Sequence, residues 1–164
     1  MPTVDALSVS TLVRSAFSAR IRPLKATDSL ELSHDEQDNL REIFQLEWQE
    51  TTAADWERLA DVVSWLSPKA FCYYLPGIIV ATTDENCPFL LAACSVLFML
   101  DRTPSIELWD SFFFDRWTLL NTQELAAVSE WISWLSGLED CVLDDISLTR
   151  ALLNIDLLAA RLKI

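Results

Sequence analysis

Apolar residues recur every three or four positions along most of this chain, which is the spacing of one face of an α-helix. The stripe near the N terminus consists of Ala6, Val9, Leu12, Val13, Ala16 and Phe17. It predicts a first helix over about residues 5–20, with Pro23 as the stop. A strict alternation of apolar and polar residues, typical of β-strands, is nowhere sustained, so we predict an all-α fold.

Polar residues that favour helix starts stand before the later stripes. Three pairs have the spacing of helix N-terminal caps, namely Ser33 with Glu36, Thr52 with Asp55, and Asn121 with Glu124. Pro68, directly after Ser67, suits the first position of a further helix. The stripes that follow the three caps are Leu40, Ile43, Phe44 and Trp48; Trp56, Leu59, Val62, Val63 and Leu66; and Leu125, Val128, Trp131, Ile132 and Leu135.

The most hydrophobic run of the chain covers residues 88–100 and has charged residues on both sides. As a helix it would span about 20 Å, which is shorter than the hydrocarbon core of a bilayer at about 30 Å. We therefore interpret it as a fully buried central helix and expect no membrane span. An irregular stretch over residues 102–120, with room for one short helix, precedes two further helices, of which the last covers about residues 143–163. No linker rich in Gly, Ser or Pro divides the sequence, so residues 1–164 are predicted to form a single compact domain of about six to seven helices around this central helix.

Acidic residues outnumber basic ones, with 25 Asp and Glu against 12 Lys and Arg, so the formal net charge is −13. Residues 34–61 alone contribute −7, from nine acidic and two basic side chains. A surface of this kind repels nucleic acid and anionic lipid and attracts basic protein surfaces. The alternative interpretation is that the acidic charge keeps a protein rich in Leu and Trp in solution.

The composition contains few of the residues and motifs that catalytic, metal or cofactor sites require. Only two residues are glycine, which argues against phosphate-binding loops and dinucleotide fingerprints. His34 is the only histidine and falls in a predicted helix start, so zinc sites and catalytic arrangements that need histidine have one candidate. The four cysteines form no Cys-x-x-Cys pair and fit free thiols in a reducing cytoplasm. We therefore expect no enzymatic activity, no cofactor, no metal and a cytoplasmic location.

Two aromatic groups allow two interpretations each. Tyr73 and Tyr74, just before Pro76, either line a pocket beside a kinked helix or pack in the core, and we favour the core. Five aromatic residues between positions 109 and 117 either plug the helix bundle or present one or two rings to a partner. We favour the plug, since exposed aromatic clusters lower solubility.

Two tryptophans fall outside the apolar stripes of their predicted helices. Trp65 lies on the helical wheel near Glu57 and Asp61. Trp134 is displaced in the same way and lies beside Glu130. Tryptophan flanked by carboxylates is typical of a binding hot spot for a basic partner, although a neighbouring helix that covers each indole is the alternative. With the acids along one side of the second helix, the predicted partner-binding residues are Asp35, Asp38, Glu42, Glu57, Asp61, Trp65, Glu130 and Trp134.

A resemblance to a known family rests on residues 67–76, which read Ser-Pro-Lys-Ala-Phe-Cys-Tyr-Tyr-Leu-Pro. This segment resembles a family of small bacterial proteins, known only as a domain of unknown function, in which a helix ends in Tyr-Leu-Pro. Further matches follow the family's order, at Ala16-Phe17, around Trp48 and Trp56, and at residues 120–124. The chain departs from the family at Gly77, where alanine is more usual, and in its long acidic second helix. The resemblance implies a bacterial origin and a compact helical fold, and it implies no known activity.

We expect an inhibitory binding protein, namely a bacterial immunity protein that neutralises a toxin or effector, such as a basic nuclease, by direct binding. The expected partner is a basic protein, with no role for nucleic acid or membrane, and the chain is a monomer or a homodimer. The alternative is a scaffold or regulatory adaptor that dimerises through the last helix. The apolar residues of that helix exceed one buried face and are Leu148, Leu152, Leu153, Ile155, Leu157, Leu158 and Leu162. A third interpretation is an enzyme that acts on a small molecule through residues 73–76.

Overall fold

Helices account for the regular structure of residues 4–141 and 143–163, which the computed structural model describes. Within these residues there is no β-strand, and the predicted all-α fold is confirmed. Seven of the helices have seven residues or more, in agreement with the six to seven predicted. The helices are α1 Ala6–Ala16, α2 His34–Ile43, α3 Ala53–Arg58, α4 Val62–Trp65, α5 Pro68–Asp84, α6 Leu91–Leu100, α7 Ser111–Trp117, α8 Thr122–Ser136 and α9 Asp145–Arg161, and two 3₁₀ turns are Trp48–Glu50 and Ile106–Leu108.

The predicted helix starts are confirmed. α2, α3 and α8 each begin with a capping box, in which the cap and the third helical residue accept each other's backbone N–H groups. Ser67 caps α5 and Pro68 occupies its first position, while Asp5 and Asp144 cap α1 and α9. Such caps depend only on residues three positions apart, so the local sequence suffices to predict them.

Three helices are shorter than predicted. α1, α2 and the helix that starts at Thr52 all end before their apolar stripes do, and the last of these breaks into α3 and α4. Most stripe residues are nevertheless buried: Trp48 in the following 3₁₀ turn and Leu59 at the break are 2% and 3% exposed. Because of the break, Trp65 does not continue the helical wheel of Trp56.

The centre of the domain is α5, and the prediction of a central helix at residues 88–100 is wrong. Residues 70–83 of α5 are all buried, because α1, α3, α6, α7 and the Trp48–Glu50 turn pack around it. The hydrophobic run instead forms α6, whose Leu91 and Phe98 are 54% and 59% exposed. The sequence of α5 is less hydrophobic than that of α6, because α5 contains Tyr and Thr.

The hydroxyl groups of α5 find their partners inside the protein. Thr82 Oγ1 accepts a hydrogen bond from the indole N–H of Trp131 at 3.0 Å. Tyr74 Oη donates to a backbone carbonyl at 2.9 Å, and Tyr73 Oη donates to the carboxylate of Glu47. Both tyrosines are buried, as the core interpretation expects, and Tyr73 also borders a cavity. Burial, together with the neighbouring Glu47 carboxylate, raises the pKa of Tyr73 to about 12.

α7 and the residues before it carry the aromatic cluster into the domain. Three rings are buried and pack against one another: Trp109, Phe113 and Trp117. Phe112 is 37% exposed and Phe114 is half-buried, and Arg116 and Arg161 lie over their rings. The plug interpretation is therefore confirmed for the three buried rings.

Gly77 lies where α5 comes closest to the Trp48–Glu50 turn. A Cβ atom at this position would be 2.7 Å from the carbonyl oxygen of Trp48 and 2.5 Å from Oγ1 of Thr51. Both distances are shorter than the contacts that Cβ atoms make in proteins, so the approach of the two backbones requires glycine.

We expect Gly77→Ala to lower the free energy of unfolding by about 1–3 kcal/mol, because the backbone of the Trp48–Glu50 turn must move to admit the methyl group. The higher helix propensity of alanine, worth about 1 kcal/mol, offsets part of this loss. The control is Gly137→Ala, whose Cβ would lie 3.4 Å from the carbonyl of Trp134 and whose effect should stay within about 0.5 kcal/mol. Urea unfolding measures both variants, and equal stabilities would contradict the close contact.

Tyr73 and Tyr74 are the two tyrosines of the chain, so tyrosinate absorbance reports their ionisation directly. In urea we expect ionisation with the ordinary pKa of 10.0, whereas Tyr73 in the native protein should be half-ionised only near pH 12. Because the folded pKa is raised, the stability from the neutral hydroxyls is complete below pH 10.0 and is lost as the pH rises toward 12. A native titration curve that overlays the curve in urea would disprove this burial.

Candidate functional site

The acids of residues 34–61 include most of those that the sequence predicts to bind a partner, and several of them stabilise helix starts. Three accept backbone N–H groups at the start of a helix or turn: Glu36, Glu50 and Asp55. Glu57 accepts the N–H of Leu91 at the start of α6, at 3.2 Å. Helix starts have unpaired N–H groups and a partial positive charge, so these four carboxylates contribute to the fold.

Three further acids of this segment pair with arginines. The pairs are Asp38 with Arg41 at 2.5 Å, Glu42 with Arg58 at 2.6 Å, and Glu47 with Arg22 at 3.3 Å. The Arg58 guanidinium beside Glu42 holds the pKa of that carboxyl below its usual range. Among the described residues, Asp35 and Asp61 are left without an ion pair or a side-chain hydrogen bond.

Five of the eight predicted site residues lie on neighbouring elements. α2 carries three of them and packs against α4, which carries or adjoins the other two. We call these five residues the acidic face: Asp35, Asp38, Glu42, Asp61 and Trp65. The four acids are exposed, and Trp65 is half-buried against the core.

The other three predicted residues lie elsewhere. Glu57 contacts the start of α6, and Glu130 is exposed on α8. Trp134 is also on α8 and is only 8% exposed, which matches the alternative in which a neighbouring helix covers its indole. The helical wheel assumes one buried side, whereas α8 packs against both α1 and α9.

Most of the basic side chains are engaged within the chain. In residues 4–141 and 143–163, the arginines that pair with carboxylates are Arg14, Arg20, Arg22, Arg41, Arg58, Arg102 and Arg150. Arg116 and Arg161 lie over Phe112 and Phe114, at 3.7 and 4.5 Å from the ring centroids. Little positive charge is therefore available to a partner, and the field around the protein is negative.

One cavity among the described residues escaped prediction from the sequence. It is a groove of about 1210 Å³ along the connection between α1 and α2, and we call it the Leu24 groove. Its lining includes Ile21, Leu24, Lys25, Asp28, Lys69 and Asp115. Leu24 and Ile21 are 99% and 87% exposed. The signal in the sequence is that neither residue belongs to a helical stripe, so no predicted element covers it.

A second cavity, of about 700 Å³, shares residues 20–24 with the Leu24 groove and is also lined by Tyr73 and Glu47. The Tyr73 hydroxyl donates to Glu47, and its pKa is raised to about 12. A tyrosine that holds its proton so firmly is a poor general base or nucleophile at neutral pH. This pKa argues against Tyr73 as the base or nucleophile of an enzyme that uses residues 73–76.

Neither a cluster of metal ligands nor a membrane-spanning helix is found in the part of the chain that the structure describes. No three Asp, Glu, His or Cys side chains there are placed to hold a metal ion. No helix there is both long and apolar enough to cross a membrane. The four cysteines are free, and burial raises the pKa of Cys72 to about 12, which keeps this thiol protonated and unreactive.

The apolar residues of α9 are mostly used inside the domain, against α6 and α8. Of the seven that suggested a dimer, Leu153 and Leu162 are exposed, at 44% and 48%, and the others are buried or half-buried. Ile146 at 66% exposed adds one more aliphatic residue. The excess of apolar surface on this helix is therefore small.

Comparison with curated proteins and with solved structures found no match. Comparison with protein families matches residues 6–153 to the Family of unknown function (DUF6714). The match extends from the start of α1 into α9 and contains residues 67–76, which carried the resemblance seen in the sequence. The chain belongs to the family of unknown function DUF6714.

Proposed function

We propose that this protein is a non-catalytic inhibitor, an immunity protein of the bacterial cytoplasm that binds a basic toxin or effector through the acidic face. A basic nuclease is a suitable class of partner, because an enzyme that acts on a polyanion has a positive substrate-binding surface. An acidic protein bound to that surface would exclude the polyanion by charge and by volume.

This proposal rests on a difference between the basic and the acidic side chains of the fold. Arginines are held by carboxylates or aromatic rings of the same chain, whereas residues 34–61 keep a net charge of −7 even with Arg41 and Arg58 included. Complementary charge accelerates the encounter of two proteins and suppresses binding of like-charged ones. The acidic face therefore favours a basic protein partner.

Different residues of the acidic face would provide direct contact with the partner and long-range attraction to it. Asp35 and Asp61 have no intramolecular partner among the described residues and can pair directly with a basic side chain. Asp38 and Glu42 are each held by an arginine, so they contribute mainly to the field. Trp65, half-buried, supplies aromatic surface once the partner is in contact.

Removing charge from the acidic face should slow association. Relative to wild type, the variant Asp35→Asn, Asp38→Asn, Glu42→Gln, Asp61→Asn changes the net charge from −13 to −9. We expect its association rate constant with the partner to fall about tenfold at low salt, with a flatter salt dependence. The probe is the basic protein recovered from native host lysate on the immobilised wild-type chain, and stopped-flow fluorescence measures the rates.

The matched control removes four exposed acids from α9 and the turn before it. It carries Glu139→Gln, Asp140→Asn, Asp145→Asn and Asp156→Asn, and its net charge is also −9. This control should keep most of the wild-type association rate. Equal rates for the two variants would refute the acidic face, and a lysate that yields no basic partner would refute the proposed inhibitor.

Trp65→Ala should raise the dissociation rate constant of the same complex by about tenfold, because an aromatic contact acts after the encounter. Its effect on the free energy of unfolding should be smaller than that of Trp134→Ala, since Trp134 is only 8% exposed. Replacing a buried tryptophan by alanine costs about 3–5 kcal/mol. Surface plasmon resonance and urea unfolding measure the two effects, and an unchanged dissociation rate would remove Trp65 from the interface.

A further inference from the structure

The Leu24 groove is lined by four exposed charged side chains that are not held in ion pairs within the described residues. Lys25 and Lys69 supply two positive charges, and Asp28 and Asp115 supply two negative ones. None of the four side chains forms an ion pair there. Opposite charges thus line one groove without pairing inside the molecule.

The apolar part of the groove is a ridge that is fixed at both ends. At one end Arg20 donates two hydrogen bonds of 2.6 Å to Glu124, which is 1% exposed. At the other end the N–H of Ser67 donates to the carbonyl of Ala26 at 2.7 Å. Residues 21–24 lie between these contacts and hold two highly exposed aliphatic side chains. A fixed apolar ridge can be buried by a partner with little loss of chain entropy.

We propose that the Leu24 groove binds a second copy of this chain, in a twofold arrangement that brings each ridge into the groove of the other copy. A twofold interface places one surface patch against itself, so such a patch must be self-complementary. The unpaired charges of the groove are self-complementary, because two are positive and two are negative. Lys25 and Lys69 of one copy then pair with Asp28 and Asp115 of the other.

The charge of the whole chain favours this surface over others for self-association. Two copies carry −13 each and repel one another wherever their acidic surfaces meet. The rival surface on α9 exposes Ile146 and Leu153 beside Asp145 and Asp156. Arg150 of this helix is engaged by Asp101 at 2.7 Å, so a twofold contact there brings mainly acidic charges together. The unpaired charges of the Leu24 groove instead sum to zero.

Sedimentation velocity over a range of concentrations tests the dimer. The wild-type chain should dimerise reversibly, and Leu24→Asp should raise the dimer Kd at least about tenfold, because it puts a carboxylate on the apolar ridge. Ile146→Asp changes an aliphatic residue of α9 that is 66% exposed and should leave the Kd unchanged. Circular dichroism shows that each variant is folded.

A charge exchange distinguishes a second copy from any other occupant of the groove. One variant carries Lys25→Asp and Lys69→Asp, and the other carries Asp28→Lys and Asp115→Lys. Each variant alone has four like charges in its groove and should be monomeric. Mixed, they should form a heterodimer, which native mass spectrometry detects by mass.

Three results would overturn the proposal. One is a wild-type chain that stays monomeric up to about millimolar concentration. Another is a dimer that survives Leu24→Asp and dissociates with Ile146→Asp, which assigns the contact to α9. The third is a mixture of the two charge variants that remains monomeric.

Discussion

Helix α5 leaves no side to solvent over residues 70–83, and this burial sets the arrangement of the other helices. A helix buried all round needs packing elements around its whole circumference, here α1, α3, α6, α7 and the Trp48–Glu50 turn. It also needs internal partners for its hydroxyl groups, which Tyr73, Tyr74 and Thr82 find. At the closest approach of the turn, only glycine leaves room, at Gly77.

Many carboxylates of this protein stabilise the fold directly. Acidic side chains accept N–H groups at the starts of α1, α2, α3, α6, α7, α8 and α9. A helix start carries a partial positive charge, so a chain with many helices gains stability from acids at these positions. The high acid content is thus explained in part by the number of helices. Asp35 and Asp61, which are engaged neither by a helix-start N–H group nor by an arginine, are the acids of residues 34–61 that are open to a partner.

The acidic face and the Leu24 groove differ in the physics by which they can bind. The acidic face acts at a distance through net charge, and salt weakens its attraction. The groove acts at contact, through exposed aliphatic side chains and charges of both signs. Both surfaces fall within residues 6–153, so the matched family spans each of them.

The features that the sequence alone determined are those that arise from interactions between residues close together in the chain. Capping boxes and apolar stripes depend on residues at most a few positions apart, so the helix starts, the all-α class and most of the core followed from the order of residues. Three features depend on contacts between residues far apart in the sequence: the central position of α5, the burial of Trp134 and the partners of the acids. The pair of Arg20 with Glu124, 104 residues apart, is an example of such a contact. Only the tertiary structure decided these features, because packing on a second side of a helix changes which of its residues reach solvent, and a single helix gives no sign of it.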